Sequence, residues 1–100
     1  MSCDDGGPIW SLYVVRRDDN ALYTGITLDV RRRFRQHVEG AGAKSLRGRS
    51  MELSYMVEVG DKSLALRAEY RFKALSKLRK EQLLKQDVSR EQLLQVLSLL

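Results

Sequence analysis

Residues 9 to 26 read IWSLYVVRRDDNALYTGI, and the reading of the fold turns on them. Ile9 to Arg16 and Ala21 to Ile26 alternate in the manner of strands and are rich in aromatic and branched residues. The polar run Arg17, Asp18, Asp19, Asn20 separates them. The first strand sets Trp10, Leu12 and Val14 on one face and Ser11, Tyr13 and Val15 on the other; the second sets Leu22, Thr24 and Ile26 against Ala21, Tyr23 and Gly25. A three-residue hairpin loop, either 17–19 or 18–20, brings Tyr13 and Tyr23 to one face. Asn20 tolerates the left-handed backbone that such loops use at their last position. A two-residue loop would shift the register by one and separate the phenols.

Working outward, Asp29 is placed to cap a helix that ends by Gly40, with Val30, Phe34 and Val38 as its buried stripe. Arg33 and His37 are four apart on an adjacent face. Gly40 to Ser50 is a glycine-rich loop carrying Lys44, Arg47 and Arg49, expected to act as a mobile, phosphate-contacting flap. Its spacing of glycines and Lys-Ser does not match a P-loop. Glu52 to Val59 reads as a third strand with Leu53, Tyr55, Val57 and Val59 on one face. A second helix follows, capped by Asp61 or Ser63, with Leu64, Ala68, Phe72 and Leu75 as its core stripe. Ser76 can cap a third helix to about Gln86, and Ser89-Arg90-Glu91-Gln92 matches a capping box opening a last one.

The fold class is therefore α+β: a small three-stranded antiparallel sheet flanked by helices, with an extra C-terminal helix. The expected organisation is a disordered tail over residues 1–8, a domain over 9–86, and a helix over 87–100 packed on that domain.

Totals narrow the function classes. One hundred residues suffice for one domain with a modest core. Hydrophobic residues at 43% and charged ones at 31% exclude wholesale disorder. No apolar run approaches the ~20 residues of a membrane span, and Met1 to Pro8 lacks the apolar core of a secretory signal. Cys3 alone cannot form an internal disulfide, so a reduced, cytoplasmic protein is expected. The net charge of +5 is concentrated. Residues 31–49 hold seven cations against one acid, Glu39, and the remainder nets near zero. A local basic patch draws in polyanions, nucleic acid above all.

Ser11-Leu12-Tyr13, Tyr23-Thr24-Gly25, Arg33, His37 and Glu69, in that order, resemble the signature of the GIY-YIG nuclease domain. The resemblance runs from about Trp10 to Leu84 and is nearest to the short, stand-alone YhbQ-like members. It implies an endonuclease that hydrolyses phosphodiester bonds with the help of magnesium or manganese, in a setting of DNA repair or processing. It implies Tyr13 as general base or water-orienting phenol and Tyr23 as a ligand of the phosphate or nucleophile. Arg33 would grip a phosphate oxygen, His37 would assist proton transfer or hold phosphate, and Glu69 would bind the metal. Gly25, Arg31, Lys44, Arg47 and Arg49 are the expected substrate contacts.

Three positions depart from the family pattern. Ser-Leu-Tyr stands for Gly-Ile-Tyr, Thr24 stands for isoleucine, and no asparagine follows the glutamate, since Asn20 is the only one in the chain.

DNA is favoured over RNA as partner, with no membrane association, and a monomer over a homodimer. The chain has no room for a separate specificity domain, which favours selection by strand structure. Read without the resemblance, Glu69 pairs with Lys73 one helical turn on, the tyrosines are strand aromatics, and Gly25 is either a strand irregularity or a point of close substrate approach. Two other classes fit the sequence: a non-catalytic nucleic-acid-binding adaptor, and an interaction protein assembled through the apolar C-terminal helix.

Overall fold

The computed structural model describes residues 7–40 and 42–100. Cys3 and most of the expected disordered tail lie outside the described residues; Gly7 and Pro8 are exposed and form no regular element.

Strand β1 (Trp10–Arg17) lies between β2 (Leu22–Thr27) and β3 (Met51–Gly60) in an antiparallel sheet of order β2-β1-β3. Helix α1 (Val30–Val38) follows β2, and α2 (Lys62–Lys73), α3 (Lys77–Gln86) and α4 (Arg90–Val96) follow β3. The fold class expected from the sequence is the one found: a three-stranded antiparallel sheet with helices on its flanks.

The hairpin settles the open question of loop parity. Arg17 N–H donates to Ala21 O at 2.8 Å and Asn20 N–H to Arg17 O at 2.9 Å, so the loop is 18–20. Asn20 takes φ of +72°, the left-handed conformation that asparagine accepts more readily than most residues. Tyr13 then pairs with Gly25 and Val15 with Tyr23, on one face of the sheet.

That face carries a small cluster of Tyr13, Val15, Val30 and Leu46, with Tyr23, Phe34, Met51 and Leu53 packed against it. Leu12 and Val14 on the opposite face join Tyr55, Phe72, Leu83, Leu93, Leu94 and Leu97 in the larger core. Alternation along β1 thus builds two cores, one beneath α1 and one beneath α2, α3 and α4.

Two expected stripes are corrected. Leu53 does not share a face with Tyr55, Val57 and Val59. Val14 pairs with Tyr55 and Val15 with Leu53, so Ser54 is an extra residue in a β-bulge. The extra residue reverses the side-chain alternation, sending Leu53 to the Tyr13 face and Tyr55 and Val57 to the other. In α1, Val38 is 57% exposed whereas His37 is buried at 1%. The helix turns its 30, 34 and 37 positions toward the sheet because Tyr13 supplies a polar partner for the imidazole there.

The caps carry the element boundaries. Asp29 accepts from Arg32 N–H at 3.1 Å, Asp61 from Leu64 N–H at 2.8 Å and Ser76 from Arg79 N–H at 3.1 Å. Ser89 and Gln92 complete the capping box in both directions, at 3.2 and 3.0 Å. Between β1 and α3, Arg16 grips Glu81 with two parallel hydrogen bonds of 2.8 and 2.7 Å. Tyr55 donates to Val88 O at 2.8 Å, tying β3 to the turn before α4.

The basic loop is more structured than a glycine-rich flap implies. Lys44–Leu46 forms a 3-10 turn, and Leu46 is fully buried in the smaller core. Asp18 N–H donates to Ser50 O at 2.9 Å and Arg17 Nη1 to Ser45 O at 3.0 Å, which binds the loop to the hairpin tip.

Candidate active site

Beneath α1 the register places an aromatic side chain over a bare backbone. Tyr13 lies directly across from Gly25, and a Cβ built on Gly25 would stand 2.6 Å from the Tyr13 hydroxyl oxygen and 2.8 Å from Cζ. The crowding anticipated at Gly25 is therefore internal. The glycine is buried, and its missing side chain makes room for the Tyr13 ring rather than for substrate backbone. Tyr23, two residues along β2 on the same face, is a diagonal neighbour of Tyr13, with ring centroids 6.3 Å apart.

Helix α1 supplies the other two groups. His37 lowers its ring between the phenols, 5.9 Å from Tyr13 and 5.3 Å, edge-on, from Tyr23. Its Nε2 is 2.8 Å from the Tyr13 hydroxyl, and its Nδ1 accepts from the Ala43 backbone N–H at 3.0 Å. Arg33, one turn earlier on the helix, is half-buried, donates to Gln36 Oε1 at 3.1 Å, and borders a shallow groove with Thr27, Asp29 and Arg32.

Burial dominates the electrostatics. Desolvation pushes the Tyr13 phenol up to about 12, with the neighbouring Tyr23 adding to the rise and the Arg33 guanidinium opposing it. Desolvation, and after it the Arg33 charge, hold His37 below its ordinary value, so the imidazole is neutral at neutral pH. Depth separates the two phenols as well. Tyr13 is 1% exposed and stands behind the half-buried Tyr23, which reaches the surface.

The structure thus brings together Tyr13, Tyr23, Arg33, His37 and Gly25. None of the described hydrogen bonds or ion pairs joins Glu69 to them. Glu69 belongs to α2, whose Ala65, Ala68 and Phe72 pack on the Leu12 and Val14 side of the sheet, and its ion-pair partner among the described residues is Lys73, at 3.5 Å. This is the pairing that helical spacing alone gives. Among the described residues no three His, Cys, Asp or Glu side chains converge. The half-buried Glu69 carboxylate is a hard oxygen donor of the kind that suits magnesium, an ion that keeps several waters.

The basic residues divide by what they touch. Arg31, Arg32, Arg35, Lys44 and Arg47 are exposed, and among the described residues none of them pairs with an acid. Arg49 is engaged with Asp18 at 3.1 Å and Asp19 at 3.4 Å. That pairing takes it out of the free positive charge counted from sequence. Arg17 beside Asp19 holds the latter's carboxyl well below the usual range, which strengthens the same network.

Comparison with known proteins gives these residues a lineage. The family model described as the GIY-YIG catalytic domain matches residues 9–82. The chain belongs to the GIY-YIG family. It is 56% identical over 86 residues to the UPF0213 protein YhbQ of Salmonella arizonae, spanning 85% of this chain and 86% of that one. The counterpart of that name from Escherichia coli is 54% identical over the same length. A solution NMR structure of the UPF0213 protein BH0048 from Bacillus halodurans superposes with a TM-score of 0.51 at 40% identity, covering 77% of this chain and 83% of that one. The chain is thus a YhbQ-like GIY-YIG protein. Membership points to nuclease chemistry on a nucleic acid, and among the described residues no helix is long and apolar enough to cross a membrane.

Sequence reasoning passed over Gly42 and Ala43. A Cβ on Gly42 would overlap His37 Nδ1 and lie 2.8 Å from Cε1, so the backbone passes flat against the imidazole. The one signal available was the pair of glycines, Gly40 and Gly42, so soon after His37.

Proposed function

We propose that the protein is a metal-dependent endonuclease that hydrolyses phosphodiester bonds in DNA and selects its substrate by strand structure. The observation that supports this reading is the meeting of two phenols, a guanidinium and a neutral imidazole on one face of the sheet, bordered by exposed cations of α1 and the 40–50 loop.

Each group has a task in that reaction. Tyr23 and Arg33 stand nearest the surface and contact the scissile phosphate, Arg33 offsetting the charge that builds on its non-bridging oxygens. Tyr13, neutral at rest, orients the attacking water or Tyr23 from behind through its hydroxyl. Glu69 would hold magnesium or manganese, and the ion, when bound, would supply positive charge that acidifies water and relieves charge on the departing oxygen. Arg31, Lys44 and Arg47 bind backbone phosphates without reading sequence.

A second reading has one observation in its favour. Glu69 is paired with Lys73, which suits an adaptor that binds nucleic acid without cutting it. The interaction-protein reading loses its surface, because Leu93, Leu94 and Leu97 are buried within the chain's own core.

The test uses labelled nicked, flapped, single-stranded and plain duplex DNA, with magnesium, manganese or a chelator. Metal-dependent cleavage that is lost in Tyr13→Phe, Arg33→Ala and Glu69→Ala supports the enzyme. Binding without cleavage in every metal would overturn it in favour of the adaptor.

A further inference from the structure

The contact between Ala43 and His37 determines more than where the ring sits. A backbone N–H can only donate, so His37 Nδ1, which receives it at 3.0 Å, must offer a lone pair. A neutral imidazole carries one ring proton, which must then be on Nε2. It follows that the 2.8 Å contact to Tyr13 has one polarity: Nε2–H donates and the phenolic oxygen accepts. The Tyr13 hydroxyl proton is left to point away from the imidazole, to the side where Tyr23 and Arg33 lie.

We propose that the Gly42–Ala43 segment is a positioning device, whose backbone N–H locks His37 as the Nε2–H tautomer and so makes it a fixed hydrogen-bond donor to the Tyr13 oxygen. The purpose of the lock rests on the nuclease reading; the lock itself does not. Its consequence for that reading is specific. With Nδ1 occupied by Ala43 and Nε2 already protonated, His37 has no lone pair for the Tyr13 proton. It stabilises negative charge on the phenol instead of acting as a base.

The groups facing the imidazole agree. Tyr13 comes from β1, Tyr23 from β2 and Arg33 from α1. None of the described hydrogen bonds or ion pairs brings an acid to the ring. A protonated ring would also drive an Nδ1–H against the Ala43 N–H, breaking the bond that holds it. Gly42 is what allows the approach, since any side chain there would occupy the space of the ring.

Ring nitrogen shifts in the full-length, ¹⁵N-histidine-labelled protein read the tautomer directly, and His37 is the only histidine. At neutral pH the expected spectrum shows Nδ1 unprotonated and Nε2 protonated. Ala43→Pro is the decisive variant. Ala43 already has φ of −60°, the value the proline ring imposes, so the turn is kept while the N–H is replaced by a Cδ that crowds Nδ1 and displaces the ring. The substitution should lower the melting temperature as the ring shifts, convert the ring to mixed tautomers, and lower kcat about 10-fold with little change in KM. Gly42→Ala should mix the tautomers in the same way. A wild-type spectrum with the proton on Nδ1, or an Ala43→Pro spectrum identical to wild type, overturns the proposal. A protein with the expected tautomer that cuts no DNA retains the lock and loses the nuclease reading; one that cuts DNA with the other tautomer does the reverse.

Discussion

Tyr13 is buried among groups that pull in opposite directions. Burial keeps its proton on, at about 12, while Arg33 and the imidazole of His37 make its oxygen a tolerable place for negative charge. If the phenolate form is required, log kcat/KM for cleavage rises with pH without a plateau between about pH 7 and 9, because the titration lies above that window. A plateau there, retained in Tyr13→Phe, would assign the rise to another group. Gly25→Ala places a carbon 2.6 Å from the same hydroxyl, between two paired strands that cannot part cheaply. It should destabilise the protein by about 1–3 kcal/mol in chemical denaturation and reduce cleavage by displacing the ring. A Gly25→Ala protein as stable and active as wild type would show that the strand gives way instead.

Among the elements, the hairpin has the most consequence per residue. Its three-residue loop puts both phenols on one face, so deleting Ala21, the first paired residue after the loop, should slip the register by one, turn Tyr23 to the α2 face and abolish cleavage. Asn20→Val forces a branched residue into φ of +72° and should cost about 1–2 kcal/mol, whereas Asn20→Gly should come within about 0.5 kcal/mol of wild type. Equal melting temperatures for the two would contradict the left-handed assignment. At the other end of the chain, Ser89→Ala removes the capping hydroxyl of α4 and should cost about 1 kcal/mol. That helix places Leu93, Leu94 and Leu97 in the larger core, so the loss should appear in global unfolding and not only as fraying.

For the molecule as a whole, charge sets the response to pH and salt. Glu81 is held below its ordinary 4.5 by the Arg16 bidentate grip. Between the folded and unfolded values the unfolded chain binds more protons. The pair's stabilisation is therefore present above about pH 4.5 and fades as pH falls through the lower folded value; Glu81→Gln should flatten that acid limb. At the alkaline end, Tyr13 and Tyr55 are both pushed up to about 12 from 10. There the folded state binds more protons, so stability is full below pH 10 and declines as pH rises through 12; Tyr55→Phe should lessen the decline in melting temperature. Salt separates Lys44 and Arg47 from Arg49, which the hairpin acids engage. Replacing Lys44 and Arg47 by alanine should flatten log affinity against log salt by about 1.8 for duplex DNA, whereas Arg49→Ala should change the slope far less, since Asp18 and Asp19 already hold its charge. Equal slopes for all three would remove the loop from the binding surface.

Local chemistry made much of this readable from the chain alone. Alternation in β1 and β2 and the caps at Asp29, Asp61, Ser76 and Ser89 depend on neighbours a few residues away, and the set Tyr13, Tyr23, Arg33, His37 and Glu69 is legible as an order along the chain. They gave the α+β class and the family. The bulge at Ser54, the burial of His37 in place of Val38, the pairing of Arg49 with the hairpin and the donor from Ala43 to the imidazole were not readable. Each depends on which residue from a distant stretch fills a given space. A single extra residue in β3 reverses a face, and one polar partner on β1 outweighs a valine in deciding how α1 turns. Those contests are between packed surfaces, and they are decided only once the surfaces meet.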